Sequence, residues 1–219
     1  MSSFKNDKPV IAIDGTAGSG KGTLAKNLCK FLKFDHLDSG ILYRFLAYKF
    51  LKNVDKKIKL SPSFLTLTEI KNISSDVKQE LRSDKVAVMA SKIARKKKIR
   101  DFLISLQRDF ANKPPGGIGS VIDGRDIASK IIPNAEVKIY VDAEVEVRAK
   151  RRLKQMNLSK ENFPEILNSI KDRDSKDKSR KESPLIKTEE SIFLDTTQID
   201  EKQAFEIALK LIKKKIDYI

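Results

Sequence analysis

Lys8-Pro9-Val10-Ile11-Ala12-Ile13-Asp14 runs directly into Gly15-Thr16-Ala17-Gly18-Ser19-Gly20-Lys21-Gly22-Thr23, and these sixteen residues decide the fold class. The first half is a continuous apolar run, the pattern of a strand buried on both faces of a parallel sheet. The second half matches G-x-x-x-x-G-K over Gly15–Lys21. Beyond it, Leu24, Leu28, Phe31 and Leu32 recur at helical spacing. Strand, glycine loop and helix in that order form an anion trap. Glycines let main-chain N–H groups turn toward phosphate oxygens, the helix adds its positive N-terminal end, and Lys21 adds a point charge for the β- and γ-phosphates. Gly15, Thr16, Ala17, Gly18, Ser19, Gly20, Lys21, Gly22 and Thr23 are therefore expected to hold a nucleoside triphosphate. A structural turn without a ligand has no use for the Gly-Lys-Gly-Thr ending. Position 22 departs from the general motif, which has Ser or Thr there to ligate magnesium; here Thr23 comes one residue later.

Outward from this loop, Phe34–Leu37 reads as a second short strand and Leu42–Leu51 as a helix. Lys52–Asp84 holds no sustained period. Val86, Met89, Ala90 and Ile93 mark one helical face, and Phe102, Leu103, Leu106 and Phe110 another, with a break expected in the basic stretch Arg95–Lys98. Pro114-Pro115-Gly116-Gly117 is a turn. Ile118–Asp123 and Val137–Val141 are the next strands. Asp142 is expected to cap the following helix, whose first turn carries Glu144 and Glu146. Phe193-Leu194 ends a last strand, and Asp200 with Gln203 resembles a capping box before Phe205, Leu209, Ile212 and Ile216. Alternation of strand and helix predicts an α/β protein, a parallel β-sheet flanked by helices.

The chain has 219 residues, with 45 Lys+Arg against 30 Asp+Glu, a net charge of +15, one Cys and one His. A single cysteine, Cys29, excludes an internal disulfide and a cysteine-based zinc cluster. With His36 as the one histidine, His-pair metal sites and Ser-His-Asp hydrolysis are poor fits, and both residues are expected to be structural. The longest apolar run, Val86–Ala90, has five residues and is far too short for a membrane span. Met1–Lys8 holds no apolar stretch like that of a secretion signal, so a cytoplasmic protein is expected. The positive charge admits polyanionic partners. However, Lys outnumbers Arg 34 to 11 and is spread over nearly every segment, as on a solvated surface. Arg, whose planar fork matches phosphate bidentately, is the more informative residue. Arg44, Arg100, Arg125, Arg148, Arg151, Arg152, Arg173 and Arg180 all fall beside the motifs.

Three further stretches carry chemistry. In Asp38-Ser39-Gly40-Ile41-Leu42-Tyr43-Arg44, Ser39 and Tyr43 offer hydroxyls and Tyr43 and Arg44 can face one cleft, although Asp38 or Ser39 would equally serve as the cap of an ordinary helix. Asp123-Gly124-Arg125-Asp126 ends a strand, where parallel sheets bind ligands. There Asp123 can orient hydrated magnesium, Arg125 can neutralise phosphate and Asp126 can accept hydrogen bonds. Lys171–Glu182 contains six cations, four acids and two serines. It reads either as a solvated helix with internal ion pairs or as a phosphate grip, because Arg173, Asp177 and Arg180 share a helical face.

Taken together, GTAGSGKGT, LDSGILYR, VIDGRD, RAKRR and the Arg173–Arg180 stretch resemble the bacterial cytidylate kinases over about residues 8–215. The resemblance implies the P-loop nucleoside monophosphate kinase fold with an NMP-binding insert and a mobile helical lid. The implied arrangement is a single kinase domain over 1–219: P-loop core 8–37, NMP-binding region 38–110 with an insert at about 52–84, core 118–157, lid 158–184 and core 191–216. It further implies transfer of the γ-phosphate of ATP to CMP or dCMP with Mg2+ held mainly by phosphates and water, with Asp123 as an indirect partner. Lys21, Arg125, Arg173 and Arg180 would be catalytic. Ser39, Tyr43, Arg44, Ser91, Arg100, Arg125, Asp126, Arg173, Asp177 and Arg180 would bind CMP, with Ser91, Arg100 and Asp126 facing the base. Arg148, Arg151 and Arg152 would be candidates to meet ATP where the lid joins the core. The implied protein is a monomer without nucleic-acid or membrane partners. Two departures stand out: the stretch from Tyr43 to Ser91 is short for the family, and Lys176 and Lys178 stand where more Arg is expected. The rivals are a kinase for another small acceptor such as UMP, and a P-loop protein that uses its charge to hold nucleic acid.

Overall fold

The apolar run forms strand β1 (Val10–Gly15), buried at every residue. The computed structural model describes residues 8–52, 65–81 and 83–216. The chain divides into two compact units, residues 38–109 and the remainder on either side. In chain order the main elements are β1, α1 (Lys21–Leu32), β2 (Asp35–Asp38), α2 (Ser39–Lys52), α3 (Leu67–Lys71), α4 (Ser75–Glu80), α5 (Asp84–Ile93), α6 (Lys97–Asn112), β3 (Ser120–Gly124), a π-helical turn (Ile127–Ile131), β4 (Val137–Asp142), α7 (Val145–Gln155), α8 (Phe163–Ser179), β5 (Ile192–Asp195) and α9 (Glu201–Lys213).

The larger unit is built on a five-stranded sheet in the order β2-β3-β1-β4-β5. β1 lies parallel to β3 and β4, and β4 parallel to β5, with Asp14 opposite Gly124 and Tyr140. This register brings the carboxyl ends of β1, β3 and β4 to one edge, where an open parallel sheet binds ligands. Side chains alternate between the faces. Ile11 and Ile13 join Leu24 and Leu28 of α1 and Ala204, Ala208 and Ile212 of α9 in one apolar cluster. Burying each such Ile or Leu contributes about 1.5–3 kcal/mol. Asp14, Ala12 and Val10 point the other way. The α/β parallel sheet flanked by helices is thus the architecture expected.

Several boundaries differ from expectation, each for a local reason. α2 starts at Ser39 rather than Leu42, because Asp38 Oδ1 accepts the N–H of Gly40 at 2.8 Å. Asp142 does not cap α7, whose N-cap position is Glu144 and carries no side-chain capping bond. The Asp142 carboxylate instead accepts the Thr16 hydroxyl at 2.5 Å and the Ala143 N–H at 2.8 Å. Within the stretch expected to be irregular, Thr66 and Glu69 form a capping box that starts α3, and Ser74 caps α4. Residues 53–64 and 82 of the insert placed at 52–84 lie outside the described residues. The capping box of Asp200 and Gln203 is present, and the break between α5 and α6 falls at 94–96.

Candidate functional site

The phosphate loop follows β1 without a spare residue. A Cβ on Gly15 would sit 2.0 Å from the Val141 carbonyl oxygen, so only glycine lets the chain leave the sheet this close to β4. Gly20 has φ 89 and opens α1 from the left-handed region that favours glycine. Between them, Ser19 donates to Thr16 O at 3.1 Å, and Lys21 Nζ reaches the same oxygen at 3.0 Å. Thr16 and Ser19 are buried, so their hydroxyls shape the loop from inside while the helix start supplies the positive end.

Asp123, at the end of β3, is buried, and its Oδ1 lies 2.7 Å from His36 Nε2, within hydrogen-bond distance. Its other oxygen faces the start of α1, 3.8 Å from where a Cβ on Gly22 would stand. Sequence reasoning placed both residues and missed their pairing. It also passed over Asp14. That carboxylate is fully buried and accepts the N–H groups of Ile127 at 2.9 Å and Ala128 at 2.8 Å, tethering the π-helical turn that follows Asp126. Burial pushes its pKa up to about 7, against those two hydrogen bonds.

Four of the expected residues meet in the larger unit. Arg125 Nε donates to Asp177 Oδ2 at 2.7 Å, and Arg180 lies 3.7 Å from both Asp177 and Asp126. Burial opposes ionisation of Asp177, but the guanidinium of Arg125, with Arg173 and Arg180, outweighs it and holds the carboxyl below its usual range. Arg173 itself is exposed on α8. The inward positions of α8 are Ile170 and Asp174. Asp174 was not singled out in the sequence, yet its spacing of four from Ile170 and three from Asp177 is the helical signal that marks it.

The three arginines of α7 do different things. Arg148 is buried and donates to Ala143 O, Ala17 O and Asp174. Arg151 braces Thr196, donating to its carbonyl at 2.5 Å and hydroxyl at 3.0 Å, while that hydroxyl donates to Ser19 O. Arg152 bonds Gln155. A cavity of about 190 Å³ opens beside the loop, lined among others by Ser19, Gly20, Thr23, Leu24, Arg151 and Thr196.

In the smaller unit, Arg44 Nη1 donates to Leu81 O at 2.8 Å. Arg100 is buried, donates to Ala94 O at 3.3 Å and lies 5.9 Å from the centre of the Tyr43 ring. Ser39 is buried at the start of α2, and Ser91 is exposed on α5. Among the described residues no helix is long and apolar enough to cross a membrane.

A model of the family described as cytidylate kinase matches residues 11–214. A protein named cytidylate kinase from Paramagnetospirillum magneticum is 40% identical, over 94% of this chain and 98% of its own length. One of the same name from Vibrio cholerae is 37% identical, over 95% and 97%. An uncharacterised protein from Eubacterium ventriosum shares the fold, with a TM-score of 0.56 at 16% identity over 94% and 99%.

Proposed function

The chain belongs to the cytidylate kinase family, and from that premise we propose that it transfers the γ-phosphate of ATP to CMP or dCMP, giving ADP and CDP or dCDP. One observation carries the reading. Helix α8 is bonded at Asp174 to Ala17 of the phosphate loop and at Asp177 to Arg125 at the end of β3. Donor-phosphate and acceptor-phosphate groups thereby belong to one hydrogen-bonded assembly.

The acceptor's phosphate oxygen attacks the γ-phosphorus in line. The bond from that phosphorus to the β,γ-bridging oxygen breaks, and ADP leaves with the electron pair. The attacking oxygen is already anionic, so no general base is needed. Lys21 and the main-chain amides of Gly15–Thr23 hold the donor phosphates. Arg125, Arg173 and Arg180 neutralise charge on the transferring group and the acceptor phosphate. Asp177 accepts from the acceptor's sugar, and its depressed pKa keeps it an acceptor at neutral pH. Arg44, Tyr43 and Ser39 anchor the acceptor phosphate and ribose. Ser91, Arg100 and Asp126 read the base: cytosine offers an N4 donor to a carboxylate and N3 and O2 acceptors to Arg and Ser. Uracil reverses the polarity at positions 3 and 4 and would leave buried groups unpaired. Bound magnesium would supply charge neutralisation to the donor phosphates. Asp123, with one oxygen on His36 and the other facing Gly22, suits a partner that contacts the ion's water. The cavity lined by Arg151 and Thr196 suits the ATP base. Closure of the lid, 158–184, would exclude water from the transfer. Both substrates are small anions, so the reaction asks for no nucleic acid, membrane or second copy of the chain.

The test is ADP release with ATP and magnesium against CMP, dCMP, UMP, AMP and GMP in parallel. CMP and dCMP far ahead of UMP is the expected result. Strong UMP turnover would overturn the roles of Ser91, Arg100 and Asp126, and no turnover with any of the five would overturn the kinase reading.

A further inference from the structure

Ala17 sits in the middle of the phosphate loop, and a buried ion pair holds it from both ends. Asp174 Oδ1 accepts its N–H at 3.1 Å, and Arg148 Nη1 donates to its carbonyl at 3.0 Å. The two side chains bond each other at 2.5 Å, and Arg148 Nε also donates to Ala143 O at 2.8 Å. Ala17, Arg148 and Asp174 are each 6–7% exposed. A buried ion pair is costly to desolvate, and apolar residues of similar volume would hold α7 against α8 equally well. Apolar residues cannot, however, bond the N–H and the C=O of a phosphate-loop peptide. The same helix presents Asp177 to Arg125 three residues further on, and Arg180 to Asp126. The Ala17 peptide and the helix turn that carries these groups are thus joined through Asp174.

We infer that Arg148 and Asp174 are a positioning pair that ties the shape of the phosphate loop to the register of α8, so that filling the loop with triphosphate changes the affinity for the acceptor nucleotide. This rests on the reading of CMP as acceptor. In this inference both act by positioning, through their bonds to the Ala17 peptide and to each other. Energetically the pair is the element whose arrangement both ligands bias, and by linkage the effect is reciprocal.

Calorimetric titration of CMP, with and without a non-hydrolysable ATP analogue and magnesium, reads the effect. For the wild-type chain the analogue is expected to tighten CMP binding about 5-fold or more, the lower end of typical couplings. Asp174→Asn keeps an oxygen for the Ala17 N–H and gives up the charge facing Arg148. It is expected to bring that factor to about one, with CMP affinity in the absence of the analogue within about 2-fold of wild type. Arg148→Lys keeps the charge but cannot reach three acceptors at once. It should show the same loss, and it serves as the test if Asp174→Asn melts below the working temperature. A structural role alone would lower the melting temperature without moving the factor. A variant with the wild-type factor, or a wild-type factor of one, overturns the inference. Failure of CMP to bind the wild-type chain under either condition overturns the acceptor reading beneath it.

Discussion

The two units differ in what holds some of their candidate-site side chains. In the larger unit they bond one another: Arg125 to Asp177, Arg148 to Asp174, His36 to Asp123, and the Thr16 hydroxyl to Asp142. In the smaller unit two arginines rest on main-chain carbonyls, Arg44 on Leu81 and Arg100 on Ala94. A carbonyl is fixed by its helix or loop whatever the side chains around it do. A carboxylate on another element moves with that element. The first kind of site is coupled, and removing one member disturbs the rest. The second is anchored on main chain, and losses of groups held in that way are expected to be more nearly independent.

The largest expected effect lies in the phosphate loop of the larger unit. Lys21→Ala should lower turnover at least about 100-fold, near the loss of one strong transition-state contact. Steady-state rates of ADP release check it, and wild-type turnover would break the assignment of the phosphate loop. The next effect probes specificity. Asp126→Asn offers both a donor and an acceptor where the carboxylate only accepts, and should narrow the preference for CMP over UMP by about 10-fold, the scale of one polar contact to a base edge. Parallel kcat/KM values for the two acceptors check it, and an unchanged ratio would remove Asp126 from the base pocket.

The smallest effect concerns stability. Asp14 holds its proton up to about pH 7 in the folded chain but ionises near 3.8 when unfolded. Between those values the folded state binds more protons, so this group's contribution to stability falls as pH rises and is flat above about 7. Asp177 works in the opposite sense: its depressed pKa adds stability above the unfolded value of 3.8, and that is lost as pH falls through the folded value. Melting temperatures of the wild type and Asp14→Asn from pH 5 to 8 separate the two, with a flatter profile expected for the variant. Parallel profiles would show that Asp14 does not titrate in this range.

Much of this was legible in the sequence where a local pattern has a local cause. The run Val10–Asp14 and the loop Gly15–Thr23 fold as they read, since close approach to Val141 and the left-handed turn at Gly20 both demand glycine. The meeting of Arg125, Asp126, Asp177 and Arg180 was legible only through the set of motifs, because residues some fifty positions apart carry no periodic signal toward each other. Asp14 and Asp174 were missed for a different reason. In sequence an acid reads as solvent-facing, and only the packing of the π-helical turn and of α7 makes each the buried partner of main-chain amides. Asp142 was misplaced because a helix cap and the Thr16 hydroxyl compete for one carboxylate, and the hydroxyl, 126 residues away in the chain, wins. The short helices α3 and α4 carry cap signals at Thr66–Glu69 and Ser74 that a search for long apolar periods does not see.

A double-mutant cycle tests the coupled character of the larger unit most directly. Arg125→Ala, Asp177→Asn and the pair together are compared by kcat/KM for CMP at saturating ATP, with Arg44→Ala and Arg100→Ala as the matching cycle in the smaller unit. The first double variant is expected to lose little beyond Arg125→Ala alone, while losses in the second cycle add to within about 0.5 kcal/mol. Additive losses for Arg125 and Asp177 would contradict it, since two residues that hold each other cannot fail independently.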